Sequence, residues 1–454
     1  MEGVVRMSQN SNRNDSNKVS RRQFVLGSSV AVTSGLVAGN LGVVRGAHIG
    51  GDDAVRIALI GCGGRGTGAA VQALSTKSAN VRLVAMADAF RDRLDFSLQR
   101  IRKRVDDTWK VDVPEQRTFV GLDAYQKAID CGVDAVLLVT PPGFRPVQFE
   151  AAVKAGKHVF MEKPVAVDAP GVRSIMATSK EADKKKLSVA VGFTFRHEIN
   201  HIECVKMIQD GATGDVAHMR ALYCTGGVWV RPRMTDQTEL EYQLRNWYYF
   251  NWLSGDHIVE QHQYTLHLVN WLKGDMHPIE CHGMGGRQVR IGKDYGEIFD
   301  HHANEYLYPD GSRLSSFCRH MPGCWNSGYT VHAYGTKGHA DMKNARDCAI
   351  YIKGQPPKVW GKGWDGYQVE HDDLFTSIVR GEPYNEAPYD AHATMTAIMG
   401  RMATYSGQII TWNEAINSQQ RLGPEHLTWD TEPPVKPGPD GIYPCAVPGV
   451  TKVI

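Results

Sequence analysis

VRIALIGCGGRGTGAAVQAL, Val55 to Leu74, decides how the rest of the chain reads. Val55 to Ile60 is a short apolar run rich in β-formers. Gly61, Gly63 and Gly66 follow at once with G-x-G-x-x-G spacing, and Ala69 to Leu74 reads as helix. A strand, a glycine turn and a helix in that order are the context that gives the spacing meaning. Gly61 permits the tight turn, and Gly63, with Gly64 and Arg65 beside it, lets the backbone approach a pyrophosphate. The helix N-terminus favours that anion electrostatically, and Gly66 permits close helix–strand packing. The expected ligand is a dinucleotide.

A second apolar run, Val81 to Ala87, ends at Asp88, 22 residues past Gly66. A carboxylate at that strand tip accepts hydrogen bonds from a ribose 2′-hydroxyl and repels a 2′-phosphate, which favours NAD over NADP. Arg91 and Arg93 lie nearby and could hold a phosphate instead. The alternation continues: helix Leu122–Ile129, strand Ala135–Val139, helix Pro146–Ala155, strand Lys157–Met161, helix Ala169–Ala182 and strand Leu187–Phe193. Alternating strands and helices predict a doubly wound parallel sheet. Ligands sit at the carboxyl ends of such strands. Thr140-Pro141-Pro142 and Glu162-Lys163-Pro164 both fall there.

The chain has 454 residues, 42% apolar and 22% charged, with a formal net charge of +2. That length supports more than one sizeable core, and the charge balance gives no reason to expect nucleic acid. Nine cysteines without C-x-x-C pairs argue against a disulfide framework or structural zinc. Near the N-terminus, Arg21-Arg22 precede Phe24 and a mildly apolar stretch rich in Gly, Ala and Ser. This pattern predicts a twin-arginine export signal, use of that export machinery and a periplasmic location. Three glycines between Gly27 and Gly39 leave the run too weakly hydrophobic for a stable membrane span. The expected organisation is a signal and linker over 1–50, a Rossmann domain over 51–190 and an α+β domain over 191–454.

GCGGRG after the first strand, TPP after the fourth and EKP after the fifth together resemble the glucose–fructose oxidoreductase, inositol dehydrogenase and MocA (Gfo/Idh/MocA) family. The likeness extends through VGFTFRHEINHIECVKMIQDGATGDV, Val191 to Val216, and AHATMTAIMGRMATYSGQIITW, Ala391 to Trp412. It implies an NAD-binding Rossmann domain followed by an open, mostly antiparallel sheet that covers the nicotinamide and often pairs with a second copy, giving a homodimer or homotetramer. It places Lys163 beside the nicotinamide and the reacting carbinol. A desolvated ammonium there can hold or donate a proton on the substrate oxygen. The chain departs from the family after TPP, where Arg145 stands near the place of a common histidine.

A second departure lies in SGDHIVEQHQYTLHLVNWLKG, Ser254 to Gly274. Laid on one helix, Glu260, Tyr264, His267 and Trp271 form a narrow stripe with His257 beside it, while His262 falls on the apolar side. The resemblance puts an acid and a histidine four apart on this helix, facing the nicotinamide, and the W-L-x-G ending places those roles on Glu260 and Tyr264. Tyr264 can transfer a proton if a nearby cation such as Lys163 stabilises its phenolate; alternatively His267 or His262 takes that role. His257, His262 and His267 are spaced five apart and share no helix face, so no metal is expected. Arg196, Arg245, Asn246, Trp247, His257 and His262 are candidate substrate contacts, since aromatic faces beside polar groups suit sugars.

These readings converge on an exported NAD-dependent oxidoreductase acting on a sugar or polyol carbinol. Two alternatives remain: a redox-neutral NAD-dependent glycosidase or lyase working through transient oxidation at C3, and a non-catalytic sugar-binding module.

Overall fold

The computed structural model describes residues 54–325, 328–343, 347–361 and 363–454, all within the compact unit His48–Ile454. The twin-arginine stretch and the expected segment 1–50 lie outside the described residues. The first sheet is built from β1 (Val55–Ile60), β2 (Val81–Asp88), β3 (Thr118–Val120), β4 (Ala135–Leu138), β5 (His158–Met161) and β6 (Val189–Val191). Their order is β3-β2-β1-β4-β5-β6 and every pairing is parallel. The order reverses between β1 and β4, which opens a crevice at the carboxyl ends of those two strands. Helices α1 (Gly64–Ser75), α2 (Arg91–Arg104), α3 (Ala124–Asp130), α4 (Arg145–Lys154) and α5 (Ala169–Lys184) connect the strands. Ile57, Leu59, Val136 and Phe160 are buried, which explains why these strands read as continuous apolar runs.

After α6 (Ile199–Gln209) and β7 (Val216–Thr225) come the short helices α7 (Glu239–Arg245) and α8 (Asn251–Ser254), then α9 (Gln263–Leu272). Strands β8 (Glu280–Gly286), β9 (His301–Leu307), β10 (Arg313–His320), β11 (Gly328–Gly335), β12 (Gly338–Lys343), β13 (Asp347–Ile352) and β14 (Lys358–Trp360) follow. With β15 (Ile410–Thr411) they make a nine-stranded sheet ordered β14-β13-β12-β11-β7-β10-β9-β8-β15. Only β7 and β10 pair in parallel, so the sheet is mixed and mostly antiparallel. Three helices complete the unit, α10 (Gly366–Arg380), α11 (Ala387–Ser406) and α12 (Trp412–Asn417). The first packs against α1 and β6 of the parallel sheet, so the chain returns from the second sheet to close the first. Among the described residues, no helix is long and apolar enough to cross a membrane.

The single helix expected from Ser254 is not present. Gly255 and Asp256 both take left-handed backbone angles (φ +75° and +71°), which ends α8. A π-helical turn, Ile258–His262, precedes α9. A π turn adds a residue to the helical period, so a 3.6-residue wheel drawn through Ser254–Gly274 loses its phase at this turn. His257 and His262, two expected substrate contacts, therefore point into the core.

Candidate active site

The glycine turn at the end of β1 fits a dinucleotide. A Cβ on Gly61 (φ +99°) would stand 2.6 Å from the Thr140 nitrogen, and one on Gly66 would stand 2.0 Å from the Gly61 carbonyl oxygen. Both positions need glycine for close approach. Gly63 and Gly64, by contrast, face open space, and the first turn of α1 has no side-chain cap on its amides. Those free N–H groups beside an open surface suit a diphosphate. The amides of Cys62 and Phe90 donate to the two oxygens of Asp88 (2.7 and 2.9 Å), which locks the carboxylate to the turn. Burial raises its pKa. The crevice encloses about 340 Å³ and runs from this turn to Thr140 and Pro141. Pro142 is buried in the turn that follows β4.

Arg65 leaves the glycine turn for the end of β5, where its Nε lies 2.9 Å from Glu162. It thus ties two expected cofactor contacts to each other. Arg145 is a structural staple: its buried guanidinium donates to the carbonyls of Leu138 and Thr140 (2.6 and 2.8 Å). It anchors the ends of β4 and of the loop after β5, where the resemblance led one to look for a histidine. Burial lowers its pKa to about 10, still far above neutrality.

Lys163 follows β5 and is almost wholly buried. Its Nζ lies 3.6 Å from the Glu260 carboxylate, donates to the Glu260 carbonyl, and stands 4.7 Å from the centre of the Tyr264 ring. The structure thus brings together Lys163, Glu260 and Tyr264. Burial raises the Glu260 pKa, opposed by the Lys163 cation. Burial, reinforced by Tyr367, Glu162 and Glu370, holds the Tyr264 pKa well above its ordinary value. A lysine-stabilised phenolate is therefore not the resting form; Tyr264 stays protonated and donates. Its hydroxyl pairs with that of Tyr367 on α10, a partner with no local sequence signal. Tyr223 on β7 and Tyr329 on β11 stack with centroids 5.5 Å apart, and the Glu260 charge contributes to raising the Tyr223 pKa. The alternation Met219, Ala221, Tyr223 along β7 was the signal that could have found Tyr223.

His267 is not free for proton transfer. Its Nδ1 pairs with Asp390 (3.1 Å), its Nε2 accepts from Arg196 (3.0 Å), and its ring stacks on Phe193. Burial keeps it neutral, as that bonding pattern requires. Arg196 is likewise engaged, with Asp275 and over the Tyr389 ring at 3.7 Å. His262 is a core residue, bonded through its two nitrogens to Ser316 and Thr265 (2.6 and 2.9 Å), and burial depresses its pKa strongly. Asn246 is buried and bonds the Arg231 amide and the Asp294 carbonyl. Arg245 and Trp247 line the crevice near Asp88, on the cofactor side rather than beside Lys163.

Asp256, His257 and His302 place potential ligand atoms within 4.8 Å of one another. Both Asp256 oxygens, however, already accept from the protein. One takes the His257 amide and Nδ1; the other takes the Phe299 amide, the Tyr405 hydroxyl (2.6 Å) and His302 (3.3 Å). A carboxylate so occupied serves a hydrogen-bond network better than it would an open coordination sphere.

A crevice at the strand-order reversal and a glycine turn shaped for a diphosphate define a dinucleotide-binding α/β protein. Residues 55–193 match the Gfo/Idh/MocA family model, described as an oxidoreductase family with an NAD-binding Rossmann fold. The match is confined to this part of the chain, the parallel-sheet domain. An inositol 2-dehydrogenase of Rhizobium meliloti (strain 1021) is 33% identical over 163 residues, 36% of this chain and 43% of that protein. The chain thus matches under half the length of that relative. Among solved structures, a levoglucosan dehydrogenase complexed with NADH and levoglucosan superposes with a TM-score of 0.63 at 14% identity, over 79% of this chain and 99% of that one. The aldose–aldose oxidoreductase of Caulobacter crescentus gives 0.61 at 19% identity, over 79% of this chain and 100% of that one. At these identities the likeness is one of fold, and it spans both sheets.

Proposed function

We propose that the protein is an NAD-dependent oxidoreductase acting on a carbinol of a sugar or cyclic polyol. The observation that carries this reading is the buried Lys163–Glu260 pair at 3.6 Å, beside the Tyr264 ring and directly after Glu162, which pairs with Arg65 of the glycine turn. Nicotinamide, when bound, supplies the two-electron acceptor or donor; the turn of Gly61 to Gly66 and Asp88 would hold the dinucleotide. An oxygen placed between Lys163 and Glu260 meets a cation that stabilises developing alkoxide charge and a carboxylate that takes the hydroxyl proton. Burial raises the Glu260 pKa, which makes that carboxylate a stronger base than an exposed one. Tyr264, held protonated, donates to the substrate oxygen or to a neighbouring hydroxyl. Tyr223 and Tyr329 offer faces for the C–H surface of a ring substrate. The reading is tested by screening inositols, aldoses and anhydrosugars with NAD while following reduced nicotinamide; no oxidation by any of them would reject it. Tyr264→Phe is expected to lower kcat about tenfold without changing dinucleotide affinity. An unchanged kcat would remove Tyr264 from the chemistry.

NAD over NADP is part of the proposal, supported by the fixed carboxylate of Asp88. Asp88→Ala removes two anchors of the turn and the acidic group facing the ribose. NADH affinity should fall about tenfold or more, and the NADH-to-NADPH affinity ratio should shrink. Fluorescence titration of both reduced dinucleotides measures this; an unchanged ratio counts against Asp88 as the discriminator.

An extracytoplasmic location is proposed from Arg21-Arg22 and the weakly apolar run after them. Replacing both arginines with lysine should leave the precursor in the cytoplasm; continued export would reject the twin-arginine assignment. We also propose a homo-oligomer joined through the outer face of the nine-stranded sheet, where Met284, Phe317 and Tyr334 are exposed. A monomer mass by sedimentation at micromolar concentration would reject that.

A further inference from the structure

The end of the crevice nearest Asp88 is not walled by the parallel sheet alone. Trp229, Arg231, Arg245 and Trp247 close it from the far side, opposite Asp88 and Phe90. A pair of contacts fixes that wall. The Arg245 guanidinium grips Asp92, in the first turn of α2, through two parallel bonds of 3.1 Å, while its Nε bonds Glu241 at 3.0 Å. The same guanidinium lies 3.9 Å above the centre of the Phe90 ring, whose other contact is Trp429, 5.8 Å away between centroids. The segment carrying Arg245 is itself anchored. Gln243 donates to the Val435 carbonyl (2.7 Å) and accepts from the Trp252 indole (2.8 Å). Asn246 accepts from the Arg231 amide (2.9 Å) and donates to the Asp294 carbonyl (2.8 Å).

The wall also has a sign. Arg93 and Arg231 both line the crevice, and no ion-pair partner is described for either. Arg231 sits over Trp229 at 5.2 Å. Burial lowers its pKa, and the nearby positive charges of Arg93 and Arg245 lower it further. Arg93 and Arg231 bring positive charge to an aromatic wall, offset in part by Asp88 and Asp92. The two arginines are stabilised by an anionic ligand that carries an aromatic base.

We propose that α7 and the Trp229–Arg231 segment form a clasp, latched by Arg245 on Asp92 and Phe90, that closes over the adenosine half of the bound dinucleotide and slows its release. This inference rests on the dinucleotide-binding reading. It assigns Arg245 and Trp247, expected from sequence as substrate contacts, to cofactor retention. Dissociation then requires the latch to open, so the slow step of cofactor exchange is set by a contact remote from Lys163.

The experiment uses the full chain loaded with NADH, diluted into excess NAD, with loss of protein-bound NADH fluorescence followed in time. Asp92→Asn lies on an exposed carboxylate, so it opens the latch without touching a core. It should speed release about three- to tenfold. Arg245→Ala also loses the stacked guanidinium and should speed release tenfold or more. The double variant should be no faster than Arg245→Ala, because both changes break one latch. A protein that binds no dinucleotide under any condition rejects the dinucleotide reading itself. A protein that binds NADH but releases it at the same rate in all four forms keeps that reading and overturns the clasp.

Discussion

Lys163→Ala is expected to fold, to bind dinucleotide with near-normal affinity and to turn over about two to four powers of ten more slowly. The proposed dinucleotide contacts are the glycine turn and Asp88, none of which touches Lys163. What the substitution removes is the cation 3.6 Å from Glu260 and over the Tyr264 ring. Two effects then act together. The developing alkoxide loses its charge partner, and the buried Glu260 loses the cation that opposes the rise in its pKa, so more of it rests protonated and unable to accept. Lys163→Arg should recover little, because a planar guanidinium cannot replace a compact ammonium in that confined place. Full activity in Lys163→Ala would move the chemistry elsewhere in the molecule.

Asp256→Ala is expected to cost about 3–5 kcal/mol of stability. The carboxylate is wholly buried and accepts from His257, His302, Phe299 and Tyr405 at once. Its removal leaves those donors without an acceptor in the core. The loss also reaches the active site, because the Asp256 side chain ties the start of the π turn that carries Glu260 to the Phe299 amide and the Tyr405 hydroxyl. Urea unfolding of the variant and the parent measures the difference. A change under about 1 kcal/mol would mean that the network relaxes around the gap and that Asp256 does not fix the turn.

The parallel sheet was legible because its strands are buried on both faces and so read as unbroken apolar runs. Strand β3, Thr118–Val120, was not legible: it is three residues long and only half buried. Helix α2 was passed over because eight of its fourteen residues are Arg, Lys or Asp and only Leu94, Ser97 and Ile101 turn inward. Lys163, Glu260 and Tyr264 were found from motif and register, and the structure brings them together. The histidines were misplaced for a definite reason. A wheel drawn at 3.6 residues per turn assumes an unbroken helix, whereas Asp256 adopts a left-handed conformation that usually signals glycine or asparagine, and the π turn then shifts the phase. Tyr367, more than a hundred residues beyond Tyr264, and the Arg245–Asp92 latch, 153 residues apart, depend on how the chain returns across the first sheet. Local pattern carries no trace of such pairings.

The central claim is that a carbinol carbon exchanges a hydrogen with nicotinamide at the Lys163–Glu260 pair. The most direct test supplies inositols and aldoses deuterated at each carbinol carbon to the dinucleotide-loaded protein and weighs the dinucleotide by mass spectrometry. The account predicts that one labelled position of an accepted substrate places deuterium on the nicotinamide ring in the parent protein, and that Lys163→Ala slows the transfer at least a hundredfold. A dinucleotide that stays unlabelled with every substrate while bound to the folded protein would contradict it.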